Sequence, residues 1–215
     1  MKRILTLLFL ALAIAGCKKG DKISFNESDL FGYWACTKSG DEDNPPYSAL
    51  IYQGGARLAY GVGDLEADIH DFSWTLDGNN MIFSGESSIS KFVLNRLNAL
   101  HLEWTLTSDD GVSRKDSYIN INRLMPGNWK CTMPNNKTYD VTFKDDMTSA
   151  WVLDSATPTD PIPVEWGPSI AGNGRLAIVL TDDPLQGVYA ISSATESRVE
   201  CINLETNDPV HFTKE

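Results

Sequence analysis

Four cysteines, three histidines, six tryptophans and several clustered acids are the residues of this 215-residue chain that have chemistry to offer. His70, His101 and His211 stand far apart, in neither a His-x-His nor a His-Glu-x-x-His spacing, so no metal centre is expected of them. The runs Asp41-Glu42-Asp43-Asn44 and Asp182-Asp183 have the charge to collect calcium but lack the loop pattern with glycine at its sixth position, and they read as exposed loops. Glycoside hydrolysis needs two carboxylates across one cleft. Glu103 and Glu200, the best candidates, fall in separate halves of the chain on outward faces, where salt-bridged surface is expected. His101 shares the face of Glu103 and could approach it, and both are expected to be solvated. No Gly-x-Ser-x-Gly, phosphate loop or dinucleotide fingerprint occurs. The expectation is a protein that is not an enzyme and carries no cofactor or metal.

Charge and composition narrow the partners. Eighteen Lys+Arg against 29 Asp+Glu leave a formal net charge of −11, which would repel a polyanion over most of the surface, so no nucleic-acid partner is expected. At 42% hydrophobic and 22% charged residues, the chain is neither fibrous nor disordered and can bury a core.

The elements that must position any site read as strands. Alternation with β-branched and aromatic residues recurs at Tyr139-Asp140-Val141-Thr142-Phe143, Met81-Ile82-Phe83, Leu100-His101-Leu102-Glu103-Trp104 and Tyr118-Ile119-Asn120-Ile121. Turn chemistry bounds them at Asp77-Gly78, Asp109-Asp110-Gly111, Asn135-Asn136, Asp145-Asp146 and Asn207-Asp208-Pro209, which suits tight antiparallel connections. Ile89, Phe92, Val93, Leu97 and Leu100 also fit helical spacing, but strand-turn-strand is preferred there. A single helical turn at Ser28-Asp29-Leu30-Phe31, capped by Ser28 and stopped by Gly32, would lead into the first strand.

The chain repeats itself. Leu30-Phe31-Gly32-Tyr33-Trp34-Ala35-Cys36-Thr37 returns as Met125-Pro126-Gly127-Asn128-Trp129-Lys130-Cys131-Thr132, with Gly, Trp, Cys and Thr in register. Phe72-Ser73-Trp74 before Gly78-Asn79 is echoed by Val164-Glu165-Trp166 before Gly172-Asn173. Phe92 through Trp104 aligns without gaps onto Tyr189 through Cys201, a poor helix with Ser192-Ser193, Thr195 and Val199. Three matches in one order, at a period the length of a small domain, imply a duplicated module. The halves are 28–124 and 125–215. No Gly/Ser-rich linker parts them, so they are expected to pack together.

The N-terminus supplies an address. Lys2 and Arg3, the apolar run Ile4 to Ile14 and the small Ala15-Gly16 read as a secretory signal over residues 1–16, too short to span a bilayer. Ile14-Ala15-Gly16-Cys17 resembles the lipobox of bacterial lipoproteins, which implies that Cys17 becomes a lipidated N-terminus and that residues 17–27 are a tether. Lys18 in place of an aspartate resembles lipoproteins sorted to the outer membrane, with the body facing periplasm or medium.

Leu30-x-Gly32-x-Trp34, a mid-domain Trp before a Gly-Asn turn, and a closing hairpin together resemble the lipocalin-like domains of small bacterial lipoproteins across nearly all of residues 28–215. The resemblance implies an all-β fold of two small antiparallel β-barrels in tandem, with Gly allowing close packing and Trp plugging one barrel end. Pro126 replaces Phe31, and the Pro158 to Pro163 loop interrupts the second half.

With Cys17 lipidated, Cys36, Cys131 and Cys201 remain, all expected to point into cores, either as buried free thiols or with a Cys131–Cys201 bridge filling the place of Trp104. Trp34, Trp74, Trp129 and Trp166 are repeat-equivalent and expected to pack, whereas Trp151 has no counterpart. Trp151 and Tyr47 are the candidates for ligand contact. The function expected is that of a lipid-anchored, non-catalytic binding or interaction protein of the bacterial cell envelope, with a small apolar ligand, a glycan or an envelope protein as partner. A carbohydrate-handling lipoprotein is the alternative, and a hydrolase a more distant one. Cys17→Ser is expected to release the protein from the membrane fraction, read by blotting separated fractions; retention would refute lipidation.

Overall fold

The computed structural model describes residues 25–40, 46–62, 66–85, 89–107, 111–157 and 160–215. The expected signal peptide, Cys17 and the tether up to residue 24 lie outside the described residues. Two closed antiparallel barrels of eight strands follow one another along the chain. The first comprises β1 (Gly32–Lys38), β2 (Pro46–Tyr52), β3 (Gly55–Val62), β4 (Glu66–Asp77), β5 (Asn80–Ser84), β6 (Ile89–Leu97), β7 (His101–Thr107) and β8 (Ser113–Asn120), with β8 pairing back onto β1. The second comprises β9 (Gly127–Thr132), β10 (Thr138–Phe143), β11 (Ser149–Asp154), β12 (Ile162–Ile170), β13 (Leu176–Leu180), β14 (Gly187–Ala194), β15 (Arg198–Asn203) and β16 (Pro209–Lys214), closed by β16 on β9. The segment with competing helical spacing is strand β6, with Phe92 and Leu94 buried inward.

The duplication extends to the hydrogen-bond register. In the β6–β7 hairpin Leu94 pairs with Trp104, a bulge intervenes, and Arg96 pairs with Glu103. In the β14–β15 hairpin Ile191 pairs with Cys201, the same bulge intervenes, and Ser193 pairs with Glu200. Trp34 and Trp129 are each buried on the opening strand of their barrel, and each donates its indole N–H to the carbonyl four residues earlier, Leu30 O at 2.7 Å and Met125 O at 2.6 Å. Gly32 (φ 134°) and Gly127 (φ 119°) sit in left-handed backbone that disfavours any side chain. The two glycines differ in surroundings: a Cβ on Gly32 would stand 2.8 Å from the Asn120 amide nitrogen, whereas the nearest atom at Gly127 is Lys214 Cε at 3.9 Å. Close packing therefore explains the first glycine and backbone angle both.

The turn before β1 is a 3-10 turn, Glu27–Leu30, one residue earlier than expected. Its cap is Asn26 rather than Ser28, because the Asn26 side-chain oxygen accepts the N–H of Ser28, which lies inside the turn.

The two barrel interiors fill the same volume differently. In the first, Phe72, Phe83, Phe92, Trp104 and Tyr118 form a chain of rings with successive centroids 4.8–5.8 Å apart. By register, Phe83 and Trp104 correspond to the smaller Leu180 and Cys201, while Ala49 and Ile51 correspond to the larger Val141 and Phe143. Volume removed from strands five and seven returns on strand two, where Phe143 meets Trp166 at 4.8 Å.

Of the two states expected of the second-barrel cysteines, buried free thiols or a Cys131–Cys201 bridge, the structure has the first. Both cysteines are free. Cys131 lies opposite Phe212 and Cys201 opposite Val210, so the whole of β16 stands between them. Two strand spacings put the Cα atoms roughly 10 Å apart, beyond disulfide reach.

The barrels join through a row of small side chains. Ile119, Ala35, Ser48 and Ala59 are cross-strand neighbours on the outer face of the first barrel, and Ala177 and Ala190 pair on the outer face of the second. All six are no more than 3% exposed. Ser48 Oγ donates to Gly174 O at 2.7 Å, and His101 meets Glu196 at 2.8 Å across the junction. The connection is a short helix, α1 (Ile121–Leu124), whose Ile121 and Leu124 are buried in the second core, so the first sheet ends at Asn120 and the second repeat's opening turn is itself the link.

Trp34→Ala and Trp129→Ala are each expected to cost about 3–5 kcal/mol, read from urea unfolding, since each removes a fully buried indole. A large loss at one position and none at the other would refute their equivalence.

Candidate functional site

Among the polar places that interrupt the apolar packing of the described residues, one in barrel one and one between the barrels differ in their chemistry. The first is at one end of barrel one, where Asp116 on β8 is fully buried. Asp116 Oδ1 accepts from Ser39 Oγ at 3.3 Å and Gly40 N at 3.1 Å, and Oδ2 from Arg114 Nε at 3.1 Å and the Trp104 indole at 3.4 Å. Each carboxylate oxygen is thus satisfied, as a buried charge requires. In barrel two, Val210 occupies the equivalent register opposite Cys201. The network ties the start of the β1–β2 connection to β8. Burial, then the Asp116 charge, push the Cys36 thiol up to about 12, and burial also raises the Tyr60 and Tyr118 hydroxyls. Burial pushes Cys131 up to about 12 and Cys201 well above the usual thiol range. None of the three thiols is a thiolate at neutral pH, and nucleophilic chemistry needs the thiolate.

The second place is a cleft of about 590 Å³ where the openings of the two repeats meet, a size within the usual range for small-ligand sites. Phe31 and Gly32 come from the first opening, Asn122 and Arg123 from α1, and Pro126 from the second opening. Asp145 and Met147 come from the β10–β11 loop. This loop, Lys144–Thr148, is longer than its counterpart Gln53-Gly54 and is held by Asp146, whose carboxylate accepts from Thr148 N, Ser149 N and Ser149 Oγ. Those bonds, the Thr148 N–H first, draw the Asp146 carboxyl down to about 2. The longer loop also changes the fourth-strand tryptophan. Trp74 donates to Tyr52 O and Gly55 O, while the buried Trp166 indole N–H has no partner among the described residues.

The cleft floor is made of side-chain amides. Asn122 Oδ1 accepts the Tyr33 N–H at 2.7 Å, and Asn122 Nδ2 donates to the thioether of Met147, a weak acceptor, at 2.9 Å. Behind Gly32, Asn120 is 1% exposed and donates through Nδ2 to Phe31 O at 3.2 Å, which fixes which end of its amide is oxygen. Its Oδ1 has no partner among the described residues and lies 3.0 Å from where a Gly32 Cβ would stand.

Other sequence-chosen residues are dispersed. Tyr47 stands in β2, and its side chain lies outside the described residues. Trp151 projects from the outer face of β11, 42% exposed, opposite Pro163, with Lys144 Nζ 5.7 Å over its ring. His101 and Glu103 do not meet: Glu103 pairs with Lys115 at 2.6 Å, and His101 with Glu196. Glu200 pairs with Arg198 and His211, so the two glutamates sit on different barrels, each ion-paired. Among the described residues, no three or more His, Cys, Asp or Glu cluster as metal ligands would. The sequence placed the site at the barrel mouths or the inter-domain groove but missed Asn120, Asn122 and Asp116, because nothing in their spacing announces which residues the facing openings bring together. No protein-family profile matches this chain, and no curated protein matches it in sequence.

Asp116→Ala is expected to destabilise the fold by about 3 kcal/mol, measured by urea denaturation, because it leaves the mostly buried Arg114 without its counter-ion. Unchanged stability would show that the network contributes nothing.

Proposed function

We propose that this chain is a lipid-anchored, non-catalytic binding protein of the bacterial cell envelope whose ligand occupies the cleft between the barrels. The observation that carries this reading is the packing of both barrels: interlocked rings occupy their inward faces, while the junction of the repeats offers about 590 Å³ of open volume. Small apolar ligands held within a barrel, as in hollow lipocalins, would have to displace Phe92, Trp104 or Phe143, each no more than 1% exposed. The absence of catalysis is supported by thiols held protonated by burial and by Glu103 and Glu200 lying on separate barrels. The lipobox at Ile14 to Cys17 supports the anchor and the envelope location. A second reading, glycan contact at the exposed Trp151, is favoured by its open indole beside Pro163.

A thiol-reactive, environment-sensitive fluorophore on Asp145→Cys tests the site, because the native cysteines described are at least partly buried. Its emission is expected to respond to small molecules extracted from the envelope, while fatty acids leave intrinsic tryptophan emission unchanged. A tryptophan response to fatty acids with a silent fluorophore would overturn the cleft in favour of a barrel interior.

A further inference from the structure

The polar groups of the cleft narrow the class of ligand. A weakly employed donor, Asn122 Nδ2, lies on its floor, and behind that floor the buried Asn120 Oδ1 has no partner among the described residues. One cation, Arg123, and one anion, Asp145, line the same cleft and are both exposed. Beside them are the apolar faces of Phe31, Pro126 and Met147. An apolar ligand would strip water from the Asn122 amide nitrogen, Arg123 and Asp145 and return no partner. An anion would gain Arg123 but meet Asp145 and a chain of net charge −11. A cation would gain Asp145 and meet Arg123. Hydroxyl groups both donate and accept, so a neutral polyol satisfies the Asn122 amide nitrogen, the Arg123 guanidinium and the Asp145 carboxylate together, while its C–H faces lie on Phe31 and Met147. Outside the cleft lining, Lys144, the chain neighbour of Asp145, holds its Nζ over the ring of the exposed Trp151, the aromatic face to which further units of a saccharide chain could extend.

We propose that the inter-barrel cleft is an oligosaccharide-binding site, with its inner subsite at Asn122, Arg123 and Asp145, the buried Asn120 amide directly behind it, and an outer stacking position at Trp151. This rests on the reading of the cleft as the ligand site. The test uses the ¹⁵N-labelled mature chain with malto-, cello-, xylo- and chito-trioses and their monosaccharides. At least one triose is expected to shift the side-chain amide resonances of Asn120 and Asn122. Arg123→Ala with Asp145→Ala should weaken that triose about tenfold or more by calorimetry, with an unchanged melting temperature. Trp151→Ala should weaken the triose and not the monosaccharide. If no saccharide binds but inorganic phosphate or dodecanoate shifts Asn120 and Asn122, the saccharide assignment falls and the cleft stands. If a triose binds with full affinity to the double variant and shifts the Trp151 indole alone, or if none of the probes moves Asn120 or Asn122, the cleft itself is not the site.

Discussion

A sheet that closes on itself with eight strands encloses a fixed volume, and side chains must fill it or a ligand must. Both barrels of this protein answer with side chains, but with different ones. The first commits two of its largest rings, Phe83 and Trp104, to strands five and seven and leaves Ala49 on strand two, whereas the second reverses the assignment with Leu180, Cys201, Val141 and Phe143. The backbone register, down to the bulge in the sixth strand of each barrel, is kept through this exchange. Packing density is the conserved quantity here, and residue identity at any one position is free to drift as long as a neighbour compensates.

The same constraint moves the open volume outside the barrels. Each repeat opens with a helical turn at whose end a carbonyl, Leu30 O or Met125 O, receives the indole N–H of the first-strand tryptophan, which seals one end. In the second repeat that turn is also the connection to the first, so α1 plugs one barrel, leaves the other, and contributes Asn122 and Arg123 to the cleft between them. The interface beside it is made of alanines and a serine, which let two sheets approach closely without disturbing either interior. An Ala-lined contact also leaves the two openings set apart at its edge, where the longer β10–β11 loop of the second barrel completes the wall.

Polar groups distinguish a place that is finished from one that is not. Asp116 uses both oxygens on four donors, one of them the mostly buried Arg114 guanidinium, so it acts as a fastening. Asn120 has one half of its amide engaged and the other bare, beside a glycine that no side chain can replace without collision. The copies have diverged at both places: Val210 stands where Asp116 does, and Lys214, which donates to Leu124 O, stands where Asn120 does.

What the amino-acid order determined by itself was local and periodic. Alternation, turn residues and the recurrence of Gly-x-Trp were enough for all-β structure, for a repeated module, and for the burial of Trp34, Trp74, Trp129 and Trp166, since each depends on neighbours a few residues away or on comparison of the chain with itself. Glu103 and Glu200 were legible as paired surface for the same reason. Tertiary structure alone decided the rest. Whether Cys131 could reach Cys201 depended on β16 lying between their strands, and whether the interiors were hollow depended on the sum of side-chain volumes around a closed ring. The cleft joins residues from Phe31 to Met147, brought together only by the packing of one barrel on the other, and that Asn120 Oδ1 has no partner among the described residues depends on which groups the fold sets around it.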